Sequence, residues 1–316
     1  MLKNEPTLYD IRKALTRIRP HAHWTPVLRC HSLDEMAGAT LFFKCENFQK
    51  VGAFKFRGAC NAVLSLTEEE ASRGVATHSS GNHAQALALA ARMRGIPATI
   101  VMPSNAPEVK KAAVAGYGGE IVLCEPTLAA REETLAQVVG KSGAVVIHPY
   151  NNYDVIAGQG TAALEFLEEI PDMDAILVPV GGGGLLSGTL IAAKGIKPSI
   201  QVIAAEPEGA DDAYRSWKAG AIIPMAGPKT VADGLLTSLG DKTYPIIQRL
   251  VDEIVTVSDE ATLKAMRLIW ERAKLVVEPS GAVPLGVLLE QKIDLCGKKV
   301  GIILSGGNVD LSRFAG

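Results

Sequence analysis

Short runs rich in β-branched residues alternate with longer helical patterns along almost the whole chain, and that alternation limits the fold more than any other feature. Strands are expected at Leu41–Cys45, Val75–His78, Ala98–Met102, Glu120–Leu123, Ala144–Ile147, Ala175–Val180, Gln201–Ala205 and Lys299–Leu304. Helices are expected at Ala84–Arg94, Pro107–Gly116, Leu128–Lys141, Thr161–Glu169, Leu185–Lys194, Glu260–Ala273 and Ala282–Gln291. Strand–helix alternation with short connections predicts an α/β fold, in which helices cover both faces of parallel sheets. A chain of 316 residues suffices for about two domains. The block 67–147 makes four strand–helix passes and can close a small sheet of its own, the small domain. Segments 1–66 and 148–316 then build the large domain from both ends of the chain. A cleft between such units, at the carboxyl ends of parallel strands, is where an α/β protein holds ligands.

Several function classes drop out on composition. A formal charge of −2, 5% aromatic residues and no Lys/Arg block of binding length leave no footprint for nucleic acid or an anionic membrane. No stretch approaches the roughly 18 apolar residues of a membrane span. The start, Met1 to Pro6, has no apolar core of the kind a secretory leader needs. Cys30, Cys45, Cys60, Cys124 and Cys296 are scattered, odd in number and without a C-x-x-C pair, so they read as reduced thiols of a cytoplasmic protein.

The chemistry is carried by a few short segments. Gly52–Gly58 places Lys55 between Phe54 and Phe56. Partial desolvation there would disfavour the ammonium and leave a nucleophilic amine suited to an aldehyde cofactor; a lysine snorkelling at a core edge is the plainer alternative. Gly181, Gly182, Gly183 and Gly184 lead from a buried-strand pattern into a helix that begins near Leu185. Consecutive glycines and a helix N-terminus make a phosphate cradle without the spacing of a Walker loop. Ser79-Ser80-Gly81-Asn82-His83 opens a helix after a strand, where hydroxyls and backbone donors suit a carboxylate. Ser305 follows the last strand in the same way. Glu206, Glu208, Asp211 and Asp212 crowd a strand end, a density of oxygen that suits Mg²⁺ or Ca²⁺ or else a solvated turn. Glu278 opens another helix and reads equally as a cap or a catalytic group. Gly158–Ala163 matches G-x-G-x-x-A but follows no convincing strand, so a helix start packed on the sheet is expected.

Taken in order, these segments resemble the serine racemase and serine/threonine dehydratase family of pyridoxal phosphate (PLP) enzymes, the fold type II group related to the tryptophan synthase β subunit. The resemblance spans nearly the whole chain and includes Leu41–Glu46, Ala157–Thr161, Ala232–Gly234 and Leu304–Leu311. It implies that Lys55 binds PLP covalently and moves a proton on one face of Cα, with Ser80 as the second acid/base on the other face. Asn82 would meet the ring hydroxyl, Gly181–Gly184 and Leu185 the phosphate, Ser305 the pyridine nitrogen, and Ser79–His83 the substrate carboxylate. Glu206, Asp212 and the Ala210 carbonyl match a divalent cation site for Mg²⁺, Mn²⁺ or Ca²⁺. Lys50, Gln85, Tyr117, Lys274 and Asn308 match an ATP effector site of animal racemases, although Cys30 and His31 stand where those enzymes have two serines. A homodimer is implied as well.

The expected activity is racemisation of L-serine, with elimination to pyruvate and ammonia. A dehydratase of serine, threonine or 3-hydroxyaspartate is the alternative. Outside this class stand a nicotinamide-dependent oxidoreductase using Gly158–Ala163 and a non-catalytic amino-acid-binding module. The loop Gly234–Gly240 and residues Asn151–Asp154 are expected beside the substrate side chain.

Overall fold

The computed structural model describes residues 5–314. Residues 1–4, on which most of the expectation about the chain's start rests, and residues 315–316 lie outside this range. Ten strands form among the described residues: β1 (Val27–Leu28), β2 (Thr40–Cys45), β3 (Val75–His78), β4 (Ala98–Pro103), β5 (Glu120–Cys124), β6 (Val145–Val146), β7 (Ala175–Pro179), β8 (Gln201–Pro207), β9 (Glu253–Val257) and β10 (Lys299–Leu304). They build two sheets. One has the order β1-β2-β10-β7-β8-β9 and the other β5-β4-β3-β6. All pairings are parallel except β1 with β2.

The strand sequences explain why helices cover both faces of the larger sheet. Ala175 and Leu177 of β7, Ile203 and Ala205 of β8, and Val300, Ile302 and Leu304 of β10 face one core. Their neighbours Ile176, Val178, Val202, Ala204 and Ile303 face another. A strand apolar on both sides must be buried on both sides. In the smaller sheet the two faces are likewise divided, with Val75, Ile100 and Met102 on one and Ala76 and Val101 on the other. The helix Lys55–Leu64 contributes Phe56, Ala59, Cys60 and Val63 to the first of these cores, beside the helix Asn82–Arg94.

Three sequence expectations are corrected. The helix predicted to start at Thr161 runs from Tyr153 to Glu169, because Asn152 Oδ1 accepts from the N–H groups of Asp154 (2.9 Å) and Val155 (3.1 Å) and caps it earlier. Gly158–Ala163 is therefore helix interior, and it packs on helices rather than on a sheet. A Cβ at Gly158 would lie 2.7 Å from the Gly58 Cα, and one at Gly160 would lie 2.7 Å from the Gly188 carbonyl oxygen. The pattern serves close helix approach. Third, the helix expected over Glu260–Ala273 is α-helical only from Asp259 to Leu268; a π turn over Ile269–Ala273 follows and stops at Lys274 with φ 62°. Strands β1 and β9, at the two edges of the larger sheet, were not anticipated.

Most of the chemistry-bearing segments lie at the carboxyl ends of strands. Lys55 comes after β2, Ser79 after β3, His148 after β6 and the four glycines after β7; Glu206 is the penultimate residue of β8, and Ser305 follows β10. Bonds between these loops join the ends of the two sheets.

Candidate active site

Lys55 is the first residue of its helix, and its surroundings are fixed from several directions. The Ala53–Gly306 bridge and the bond from the Phe54 N–H to the Ser305 carbonyl (3.0 Å) tie the segment before it to the end of β10. Its Nζ donates to the Pro149 carbonyl at 2.9 Å, across the gap between sheets, and sits 5.1 Å from the centre of the Phe54 ring. Only one of the two flanking aromatics serves the amine. Phe56 turns away into the core, where it is fully buried. Desolvation lowers the Lys55 pKa to about 8, against the opposing pull of the Glu278 carboxylate.

Glu278, left open by the sequence, belongs to this centre. Its carboxylate accepts from Asn82 Nδ2 at 3.0 and 3.3 Å, and burial pushes its pKa up to about 7. Asn82 Oδ1 in turn accepts from Asn308 Nδ2 at 2.8 Å. Asn82, Glu278, Ser305 and Lys55 are thus one connected group. Ser305 is buried.

The four glycines are buried and close-packed. Gly183, the N-cap of the helix Gly184–Ile196, has φ 86° and needs to be glycine. Gly182 lies under the Tyr150 ring, where a Cβ would come within 2.4 Å of ring carbons. Among the described residues, no backbone acceptor takes the N–H groups of Gly181 to Leu185. Unpaired donors at a helix N-terminus fit a phosphate, so the cradle suits PLP.

Ser79 Oγ accepts from the Gly81 N–H (3.3 Å), which shapes the loop into the helix starting at Asn82. His83 has a role the sequence does not indicate. Its ring is buried, with Nε2 against the Ile147 carbonyl at 2.9 Å and Nδ1 without a partner, and burial holds its pKa down to about 3. His148 is also neutral, its pKa lowered to about 4 by burial first and then by His78 and Lys55. Its Nδ1 accepts the N–H groups of Asn151 (3.0 Å) and Tyr150 (3.4 Å), which puts its proton on Nε2. His78, His148 and Tyr150 stack edge to face in a row, with ring centres 5.9 and 4.6 Å apart. Arg131, whose buried Nε has no partner, is within electrostatic reach of His78.

Beyond β8 the acidic residues separate. Glu208 pairs with Lys292 and Asp211 with Arg215, at the surface. Glu206 and Asp212 are buried. Glu206 accepts the N–H groups of Ala213 and Tyr214, both at 2.8 Å, and Asp212 Oδ2 accepts the Leu239 N–H at 3.3 Å. Asp212 Oδ1 has no partner. Burial raises both acids, Glu206 to about 8 and Asp212 to about 6. Among the described residues no three His, Cys, Asp or Glu side chains form a metal cluster, so any cation here would be held by two carboxylates, a carbonyl and water.

The five residues matched to an effector site divide. Asn308 Nδ2 donates to the carbonyl of Val51, the residue after Lys50, at 2.7 Å. Gln85 lies one turn beyond Asn82 on the same helix. Tyr117 follows the helix Glu108–Gly116, under Arg92. Lys274, beyond the π turn, donates to the Glu271 carbonyl at 2.7 Å.

A second buried constellation escaped the sequence reading. Arg57, two residues after Lys55, bonds both oxygens of Glu46 (2.7 and 2.8 Å) and of Glu165 (2.7 Å each), and Lys44 Nζ bonds Glu165 at 2.7 Å. Arg57, Lys44 and Glu46 are fully buried. Four charges from distant segments leave no local signal. The Pro149 carbonyl, a backbone group, leaves none either.

Comparison with known proteins agrees with this geometry. The profile described as "Pyridoxal-phosphate dependent enzyme" matches residues 18–306. The chain is 53% identical to a beta-hydroxyaspartate dehydratase of Paracoccus denitrificans, over 98% of each protein. It is 53% identical to a serine racemase of Arabidopsis thaliana, over 97% of this chain and 94% of that one. The solved structure of maize serine racemase superposes with a TM-score of 0.96 at 50% identity, covering 99% of this chain and 96% of that one. With a lysine, a glycine cradle and a strand-end serine in one connected site, the chain belongs to the pyridoxal-phosphate-dependent enzymes of fold type II.

Proposed function

We propose that the chain interconverts L- and D-serine and also eliminates water from serine, giving pyruvate and ammonia. The observation that carries this reading is the Lys55 amine. It is half-neutral near pH 8, held at the Pro149 carbonyl, and joined through Phe54 and Tyr150 to Ser305 on one side and the glycine cradle on the other. Lys55 holds PLP; Gly181–Gly184 and Leu185 bind its phosphate, Ser305 its pyridine nitrogen and Asn82 its ring hydroxyl. When bound, PLP supplies the electron sink that acidifies Cα–H, and a serine rather than an aspartate at the ring nitrogen keeps that sink weak, which favours β-elimination. Lys55 moves the proton on one face of Cα and Ser80 on the other, while the backbone of Ser79–His83 binds the carboxylate. Incubation with L-serine followed by chiral chromatography and oxo-acid assay tests this: D-serine and pyruvate are both expected, and pyruvate alone would reject racemisation. Ser80→Ala is expected to impair D-serine handling more than L-serine elimination; equal losses would count against the two-face assignment.

A second reading rests on Arg131. A lone guanidinium with a buried free Nε, near His78, suits a second substrate carboxylate. 3-Hydroxyaspartate dehydration is then the main activity. Arg131→Ala would separate the two readings, by lowering turnover of 3-hydroxyaspartate and sparing serine.

Glu206, Asp212 and the Ala210 carbonyl hold a divalent cation, Mg²⁺ or else Mn²⁺ or Ca²⁺; the unpartnered Asp212 Oδ1 supports this. ATP as effector would reach the centre through Lys50, Gln85 and Asn308, since Asn308 bonds Asn82; Tyr117 and Lys274 complete that assignment. A second copy of the chain is the proposed partner. Exposed Trp24, Phe48 and Val276 lie on loops tied together by the His23–Phe48 and Asn47–Val276 bonds. Five free cysteines suit the reducing cytoplasm, and no described helix is long and apolar enough to cross a membrane.

A further inference from the structure

We infer that Thr243 is the positioning residue of the phosphate cradle, an inference that rests on the PLP reading above. Thr243 is fully buried on the segment that closes over the glycines from outside. Its Oγ1 donates to the Gly182 carbonyl at 2.8 Å, with the Gly240 carbonyl a longer second acceptor at 3.2 Å, and accepts the Gly240 N–H at 2.9 Å. A trans peptide is planar, with C=O and N–H pointing in opposite directions. Pinning the Gly182 carbonyl to Thr243 therefore turns the N–H of Gly183, the N-cap of the following helix, to the opposite side. That N–H has no backbone acceptor among the described residues.

The rest of the segment supports the same fixture. Leu235 packs on Gly181, and Leu239, Thr243 and Ile247 wall in Gly183. Asp212 holds the Leu239 N–H, and Asn151 Oδ1 holds the Lys242 N–H at 2.9 Å. Glycine has the widest backbone freedom of any residue, so a run of four needs an external constraint to present its donors in one orientation. Thr243 supplies it through a single hydroxyl that both gives and receives a hydrogen bond. Its hydroxyl bonds are to the backbone of Gly182 and Gly240.

The test separates phosphate recognition from general stability. Pyridoxal keeps the aldehyde that Lys55 takes and lacks the phosphate. Apoprotein of wild type, Thr243→Val, Thr243→Ser and Thr243→Cys would be titrated with PLP and with pyridoxal by absorbance. Thr243→Val is expected to weaken PLP binding about tenfold while leaving pyridoxal within about twofold, and Thr243→Ser to restore PLP binding. Thr243→Cys, with a poor donor of similar size, is expected to fall between, and it carries the test if the valine variant does not fold. Equal weakening of both compounds, or no change in their ratio, would overturn the inference. Failure of wild type to capture either compound at Lys55 would instead sink the PLP reading itself.

Discussion

Two constellations lie within two residues of each other on one helix and treat buried charge in opposite ways. Around Arg57, two cations face two carboxylates, every carboxylate oxygen is bonded, and the group is neutral as a whole. Around Lys55, the amine faces a carbonyl and an aromatic ring, and the nearby carboxylate, Glu278, is shared with Asn82. Similar removal from water therefore gives opposite results. Compensated charges lock segments together; uncompensated ones are pushed toward neutrality. The acidic pair Glu206/Asp212 follows the second pattern with the opposite sign of charge.

The contrast can be broken at its strongest point first. Lys55→Ala is expected to lower turnover by about a thousandfold or more. It should leave the thermal midpoint of the apoprotein unchanged or higher below pH 8, because it removes an ammonium that burial disfavours. Calorimetry beside a turnover assay checks both. Arg57→Met should do the reverse to stability. Stripping the shared cation from two buried carboxylates is expected to cost about 3–5 kcal/mol in denaturant unfolding. A loss below about 1 kcal/mol would show that the network carries little.

Smaller effects sharpen the comparison. Millimolar Mg²⁺ should raise the apoprotein midpoint by a few degrees through preferential binding to the native state. Asp212→Asn should abolish that rise without lowering the cation-free midpoint. Finest is the titration of Lys55. Its folded pKa is depressed, so reactivity with an aldehyde should climb as pH rises, with its midpoint near 8 rather than near the usual 10.5. Glu278 holds that value up, so Glu278→Gln should move the midpoint below 8. A midpoint that stays put or rises would remove Glu278 from the amine's surroundings.

What could be read in advance follows the range of the interactions involved. β3 and β10 match their expected limits, since β-branched runs bounded by glycine or polar residues report on the backbone nearby. Gly158–Ala163 misled on helix position because its glycines answer to Gly58 and Gly188 on other helices, and nothing nearby in sequence announces those contacts. His83 stands in a loop motif and yet points inward, since only the packed Ile147 carbonyl gives its ring a partner.

The amino-acid order by itself determined the α/β class, the run of four glycines, the lysine between two phenylalanines and the resemblance that unites them, because each is written in neighbouring residues. Tertiary structure alone decided which of two nearby basic side chains would be paired with carboxylates and which would face a carbonyl instead. The carboxylates of Glu46, Glu165 and Glu278 that make this choice lie 11 to 223 residues along the chain from the side chains they act on. A charge's energy depends on what surrounds it in space, and folding alone brings those surroundings together.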